Sequence, residues 1–250
     1  MRLAIVADFH ANPVGTAAAL DDVARDRVDA VVCLGDVAQG GPDPAGVVDA
    51  LRALPMPVSY VLGNSDGFLL DREATKEPVT ERHLAIRAWT LAQLGVERLE
   101  FIRSFAPTVR IDLGWGRSLL GFHGSPRDYD EIVLPSDHEE SFRSKLGPAD
   151  ETFLAGGHVH RQWLRRMGAA TFFCPGSVGL SYDPEQPDDD FRFDGFAAYA
   201  VVTSTAAGVE LAFRRVDFDY REMMRALERS TLPGAAEELW RWEPRDGASS

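Results

Sequence analysis

The sequence predicts an α/β fold built on a parallel sheet, and three observations predict it. Apolar runs recur at residues 2–7, 30–34 and 58–62, as strands buried on both faces require. Each run stops at a polar residue: Asp8, Gly35-Asp36 or Gly63-Asn64. Helix-compatible segments separate the runs, giving a βαβαβ opening with right-handed crossovers.

The first strand, 2–7, ends at Asp8. Asn12-Pro13 then reads as a cap followed by proline at the first helical position. The helix it opens carries Val14, Ala18 and Val23 among its apolar positions and runs to Arg27. Residues 30–34 form the second strand, 44–54 a helix and 58–62 the third strand. Over 68–105 the charge rises, and Leu84, Trp89, Leu91, Leu94 and Leu99 recur at roughly helical spacing, which predicts a helical segment. Residues 107–113 and 117–122 predict a hairpin around Gly114-Trp115-Gly116. There follow a helix at 137–146, short strands at 152–155 and 170–174, a hairpin of 195–203 with 208–216, and a helix at 219–229. Prolines and aspartates make 183–190 a loop, and the stretch from Glu243 reads as disordered. Without repeats or a long linker, residues 1–232 are expected to form one domain, followed by a tail at 233–250.

Composition narrows the function. Hydrophobic residues are 45% of the 250, enough for a sizeable core. The formal net charge of -13, from 26 basic and 39 acidic residues, repels polyanions and argues against stable nucleic-acid binding. It leaves a small phosphate ester open as substrate, because bound cations reverse the local field. No apolar run approaches the roughly 18 residues of a membrane helix. The N-terminus enters a short apolar segment ending in Asp8, unlike a signal peptide. Cys33 and Cys174 sit singly in strand-like runs, and lone buried thiols suit a reducing cytoplasm. Oligomeric state leaves no mark on the sequence.

The chemistry lies where the strands stop. Asp8, His10, Asp36, Asn64, His123, His158 and His160 all follow strand-like runs, and open α/β sheets place ligands at the C-terminal ends of their strands. In extended backbone, residues two apart point the same way, so Asp8 with His10, or His158 with His160, can reach one ion. The other two histidines, His83 and His138, fall in helical segments. Seven oxygen and nitrogen ligands exceed one tetrahedral zinc. They suit two ions sharing a carboxylate, spaced about 3.5–4 Å apart for in-line displacement at phosphorus.

Five ordered motifs carry a resemblance: Asp8-Phe9-His10-Ala11-Asn12, Gly35-Asp36, Gly63-Asn64-Ser65-Asp66, His123-Gly124 and Gly157-His158-Val159-His160, with Pro175-Gly176-Ser177 beyond them. The chain resembles the calcineurin-like metallophosphoesterases, in particular their small bacterial and archaeal phosphodiesterases. The resemblance implies a four-layer β-sandwich of mixed sheets flanked by helices. It implies one metal on Asp8, His10, Asp36 and His160, and a second on Asp36, Asn64, His123 and His158, with Asp36 bridging. It further implies phosphodiester hydrolysis by a metal-bridging hydroxide, with Asp36, Asn64 and Ser65 in the catalytic machinery. Manganese is the expected ion, with iron, zinc and nickel as the other candidates. One position departs from many relatives: Ser65 stands where they carry a histidine that acts as an acid toward the leaving group. A hydroxyl cannot supply a proton at neutral pH as imidazolium can, so leaving groups that depart unprotonated are expected to be favoured.

Substrate contacts are expected from Asn12, Arg127 and Arg161, which accompany the ligand motifs. Trp89, Trp115 and Trp163 are read as packing residues, and Ser125 and Ser177 as loop residues outside any G-x-S-x-G context. A phosphomonoesterase or a dinucleoside polyphosphate hydrolase would use the same machinery. A non-catalytic scaffold would be expected to have lost ligands, and a Rossmann-type nucleotide site would need a G-x-G-x-x-G where Asp8-Phe9-His10 stands.

Overall fold

In the computed structural model, which describes residues 1–70 and 78–243, two five-stranded sheets lie face to face. The chain opens with β1 (Arg2–Val6), α1 (Pro13–Arg25), β2 (Ala30–Cys33), α2 (Pro44–Arg52) and β3 (Val58–Tyr60). It continues with α3 (Asn64–Leu69), α4 (Glu81–Arg103), the antiparallel pair β4 (Val109–Gly114) and β5 (Arg117–Phe122), then α5 (Glu139–Leu146). After these come β6 (Phe153–Gly156), β7 (Gln162–Met167), β8 (Ala170–Pro175), β9 (Phe196–Thr205), β10 (Gly208–Asp217), α6 (Tyr220–Arg229) and α7 (Ala235–Glu238).

The first sheet runs β10-β9-β1-β2-β3, with β1, β2 and β3 parallel as the βαβαβ reading requires. The second runs β4-β5-β6-β8-β7, parallel through β5, β6 and β8 and antiparallel at both edges. The alternation of side chains along β1 shows the layering. Leu3 and Ile5 face the second sheet and pack with Leu119, Phe153, Ala155 and Phe173. Ala4 and Val6 face outward against Ala19 and Val23 of α1 and Val47, Val48 and Leu51 of α2. The far side of the second sheet packs Phe122, Leu154 and Phe172 against Phe142 and Leu146 of α5. Helix, sheet, sheet, helix is therefore the order, and the expected four-layer mixed sandwich is what forms.

Local chemistry sets the boundaries. Asn12 caps α1 by accepting from the Val14 and Gly15 amides, with Pro13 at the first position. The helical reading of 68–105 holds for α4, which breaks direction at Gly95 (φ 64). Part of that reading, residues 71–77, lies outside the described residues, as does most of the stretch from Glu243 read as disordered. Trp242 packs with Met223, Leu227 and Leu232, so the segment after α6 folds back onto it. Trp163 is buried, Trp89 is half-buried against the α6 cluster, and Trp115 is exposed at its hairpin tip. Strand β7 was not expected from the sequence. It pairs only with β8 at a sheet edge, and its composition, QWLRRM, has too few apolar residues to announce it.

Candidate metal centre

The loops leaving β1, β2, β3, β5 and β6 converge, and backbone bonds tie them together. The Asp8 amide donates to Gly35 O (3.0 Å) and the His10 amide to Asp36 O (2.9 Å), so the first two ligand loops run side by side. The Gly157 amide donates to His123 O (2.8 Å), and the Val178 and Gly179 amides donate to Ala7 O and Asp8 O. Gly63 is required where the third loop meets the second, because a Cβ there would collide with the Asp36 carboxylate.

The ligand positions adopt backbone that L-residues rarely use. Asp8 (φ 56), His10 (φ 45), Asp36 (φ 56), His158 (φ 70) and His160 (φ 54) are all left-handed. Each such non-glycine residue stores on the order of 1 kcal/mol of strain, and strain held in common by five site residues marks a functional loop cluster.

The side chains then meet. His10 Nε2 lies 3.0 Å from His160 Nε2 and 3.6 Å from Asp36 Oδ2, and His160 Nε2 lies 3.6 Å from Asp8 Oδ1. His123 Nε2 lies 3.4 Å from the same Asp36 Oδ2, 3.9 Å from Asp8 Oδ1 and 2.9 Å from Asn64 Oδ1. Asp8, His10 and His160 form one compact group, and Asp8, Asp36 and His123 another. His158 stands outside both. Its ring centre is 5.2 Å from that of His123, while its backbone amide donates to the Asp8 carboxylate.

These residues fit divalent cations, and the histidine orientation is the reason. The Nδ1 atoms of His10, His123 and His160 contact Gln39 O (2.9 Å), Leu34 O (2.7 Å) and Leu180 O (3.1 Å). A carbonyl oxygen only accepts, so each Nδ1 carries a proton and each Nε2 is left to face the carboxylates. His10 and His160 thus turn two like acceptor atoms toward one another beside buried acids, an arrangement that a shared cation relieves.

Electrostatics in the absence of metal agree. Burial raises the Asp8 carboxyl to about 8. Burial also resists ionisation of Asp36, but His123 beside it outweighs that and holds the group low. For His123 itself, burial opposes the charge, yet Asp36 and then Asp8 hold it up at about 10. Burial, followed by the His123 charge, pushes His158 down to about 4, and burial lowers His10 and His160. At neutral pH the Asp8 carboxyl keeps its proton, and the His123 imidazolium is balanced by the Asp36 carboxylate beside it.

Of the expected substrate contacts, Asn12 is corrected. Its side chain is buried, with Oδ1 spent on the α1 cap and Nδ2 donated to Gly179 O (2.8 Å), so it holds the loop rather than a ligand. Arg127 points into solvent and pairs with Glu131 (3.0 Å). Arg161 borders a cleft that begins at His160. Ser65 is buried, donates its amide to Asp36 Oδ1 (2.9 Å), and among the described residues its Oγ has no hydrogen-bond partner. Ser177 donates to Asp8 O (2.7 Å) and Ser125 to Asp128 O (3.3 Å), both as loop ties.

Sequence reasoning gave no role to Asp66. It is fully buried and its carboxylate accepts the Asp36 amide (2.8 Å), the Val37 amide (3.1 Å) and the Gly63 amide (3.2 Å). It clamps the Asp36 loop to the Asn64 loop. The signal was present: an acid at the third position of a helix that starts directly after a strand.

Comparison with known proteins agrees with this geometry. Residues 1–191 match the calcineurin-like phosphoesterase superfamily domain. The protein MJ0912 of Methanocaldococcus jannaschii is 23% identical over 242 residues, covering 92% of this chain and 93% of its own. A metallophosphoesterase from Sphaerobacter thermophilus superposes with a TM-score of 0.72 at 24% identity, covering 97% of this chain and 99% of that one. Protein PH1004 from Pyrococcus horikoshii OT3 reaches a TM-score of 0.80 at 20% identity, covering 97% and 98%. Strand-end ligands on a mixed four-layer sandwich and a match over most of the chain lead to one assignment: the protein belongs to the calcineurin-like phosphoesterase superfamily.

Proposed function

We propose that this phosphoesterase is a dinuclear, metal-dependent phosphodiesterase acting on small substrates, with manganese as the favoured ion. The observation that carries the reading is Asp36 Oδ2, which lies 3.6 Å from His10 Nε2 and 3.4 Å from His123 Nε2 and so joins the two ligand groups. His10, His160 and Asp8 would hold one ion, and His123 and Asn64 the other, with His158 beside His123 as a further ligand to that second ion. Divalent ions bound there supply Lewis acidity toward phosphoryl oxygens and activation of water.

The chain's own residues supply placement. Asp66 and Gly63 fix Asp36, the Nδ1 bonds fix the three imidazoles, and Asn64 presents its amide to the phosphoryl oxygens. Ser65, with its unpartnered Oγ, can accept or share a hydrogen bond but cannot act as the acid toward a leaving group. The cytoplasm fits Cys33 and Cys174, which are buried and unpaired with one another.

The test is to strip the protein, reload it singly with manganese, iron, zinc or nickel, and follow p-nitrophenol release. Faster turnover of bis(p-nitrophenyl) phosphate than of p-nitrophenyl phosphate is expected, with rates across aryl diesters falling steeply as leaving-group pKa rises. A flat dependence would refute the role given to Ser65. No release with any ion, or a preference for the monoester, would refute the diesterase.

A further inference from the structure

We propose that the cleft beside His160 is a second anion subsite, so that the substrate carries a further phosphate or carboxylate a short spacer away from the phosphoryl group at the metal centre. This rests on the hydrolase reading above and names the class of substrate it takes. The cleft encloses about 210 Å³ and is lined by His160, Arg161, Gln162, Tyr182, Phe196 and Arg215, among others.

Its position follows from register. Strand β9 runs antiparallel to β1 with Ala200 opposite Ile5, so Ala198 and Phe196 lie level with the β1 end that leads into Asp8. Arg215 pairs with Ala198 across β10 and β9, and Gln162 pairs with Pro175 at the end of β8. The cleft therefore opens on the same rim as the ligand loops, and His160 belongs to both.

Its charge is unusual for this chain. The sequence holds 39 acidic residues against 26 basic ones, yet among the described residues no carboxylate lines the cleft and two arginines do. Among the described residues, neither Arg161 nor Arg215 forms an ion pair, whereas Arg165 and Arg192 are paired with Glu139 and Asp190. Arg215 is held by neutral groups instead. Its Nε donates to Gln162 Oε1 (3.0 Å), and its guanidinium lies 4.8 Å from the Phe196 ring centre. Gln162 is fixed in turn by donating to Tyr199 O (3.1 Å) and Arg214 O (2.8 Å). The half-buried Arg161 side chain makes no hydrogen bond among the described residues. A preorganised guanidinium without a carboxylate is suited to an incoming phosphate or carboxylate, which it meets with paired N–H donors. With cations at the centre, a doubly anionic ligand would find positive charge at both ends, within a molecule whose net charge otherwise repels it.

Three non-hydrolysable probes on a shared three-carbon spacer test this by calorimetry on the manganese-loaded protein: propylphosphonate, 4-phosphonobutyrate and propane-1,3-diphosphonate. One doubly anionic probe is expected to bind at least about tenfold more tightly than propylphosphonate, and which one does so distinguishes carboxylate from phosphate. Arg161→Gln and Arg215→Gln together are expected to reduce that gain to under about threefold, with the far-ultraviolet circular dichroism unchanged. Single variants stand in if the double variant does not fold. Equal binding of all three probes to the native protein, or a gain that survives in the arginine variants, overturns the subsite. Hydrolysis of bis(p-nitrophenyl) phosphate by the same preparation judges the parent reading separately. Turnover without an arginine-dependent gain overturns the subsite alone, and the gain without turnover overturns the hydrolase reading alone.

Discussion

In the proposed metal centre, the proton on His123 is expected to govern how metal is taken up. Burial disfavours that proton, but the Asp36 and Asp8 carboxylates hold it up at about 10, and a ligating imidazole must give it away. The folded-state pKa is raised, so the proton is present throughout the neutral range and is lost only as pH climbs through it. Metal competes with it, and affinity must therefore increase with pH. Between pH 6 and pH 8 the apparent affinity for manganese is expected to rise about tenfold per pH unit for each proton displaced. Asp8, raised to about 8 by burial, adds a second proton below that point. Calorimetry in buffers of different ionisation enthalpy counts the protons released; pH-independent uptake with no release would contradict this. Backbone strain is the other residue-scale effect. His158 has φ 70, so His158→Gly relieves what His158→Ala keeps, while both delete the same ring. The glycine variant is expected to be more stable than the alanine variant by about 1 kcal/mol in urea unfolding. Equal stabilities would show that the loop is not strained.

At the scale of elements, Asp66 does the most with the least exposure. Its carboxylate takes three buried amides from two loops, and removing it strands all of them. Asp66→Ala is expected to cost about 3 kcal/mol or more and to lower manganese occupancy, since Asp36 then loses its clamp. Asp66→Asn keeps one acceptor oxygen and is expected to fall between the two, and a variant as stable as wild type with full occupancy would refute the clamp. The elements that carry the site were legible because a strand buried on both faces has no reason to contain polar residues, so Asp8, Asp36 and Asn64 stand out where such runs stop. Edge strand β7 was not legible because one of its faces is wet and its arginines break the pattern. The cap at Asn12 was legible from the proline after it, but the second use of its side chain, donated to Gly179 O, was not, because that partner lies far along the chain. The left-handed backbone at five ligand positions left no trace either, because aspartate and histidine carry no obligatory signal for positive φ as glycine does.

At the scale of the molecule, the sandwich brings seven residues from five separate strand ends to one rim. Asp8 and His160 are 152 positions apart in sequence yet 3.6 Å apart at their facing atoms. That convergence needs both sheets in register, because the first supplies Asp8, His10, Asp36 and Asn64 and the second supplies His123, His158 and His160. The core of Leu3, Ile5, Val32, Leu119, Phe153 and Phe173 between the sheets therefore sets the distance between the two ligand groups. The most direct measurement is a titration of metal-stripped protein with manganese, followed by electron paramagnetic resonance. Two equivalents bound per chain, with the spectrum of two exchange-coupled neighbouring ions, are expected. A single equivalent with the spectrum of an isolated ion would contradict a shared Asp36 and the dinuclear centre with it.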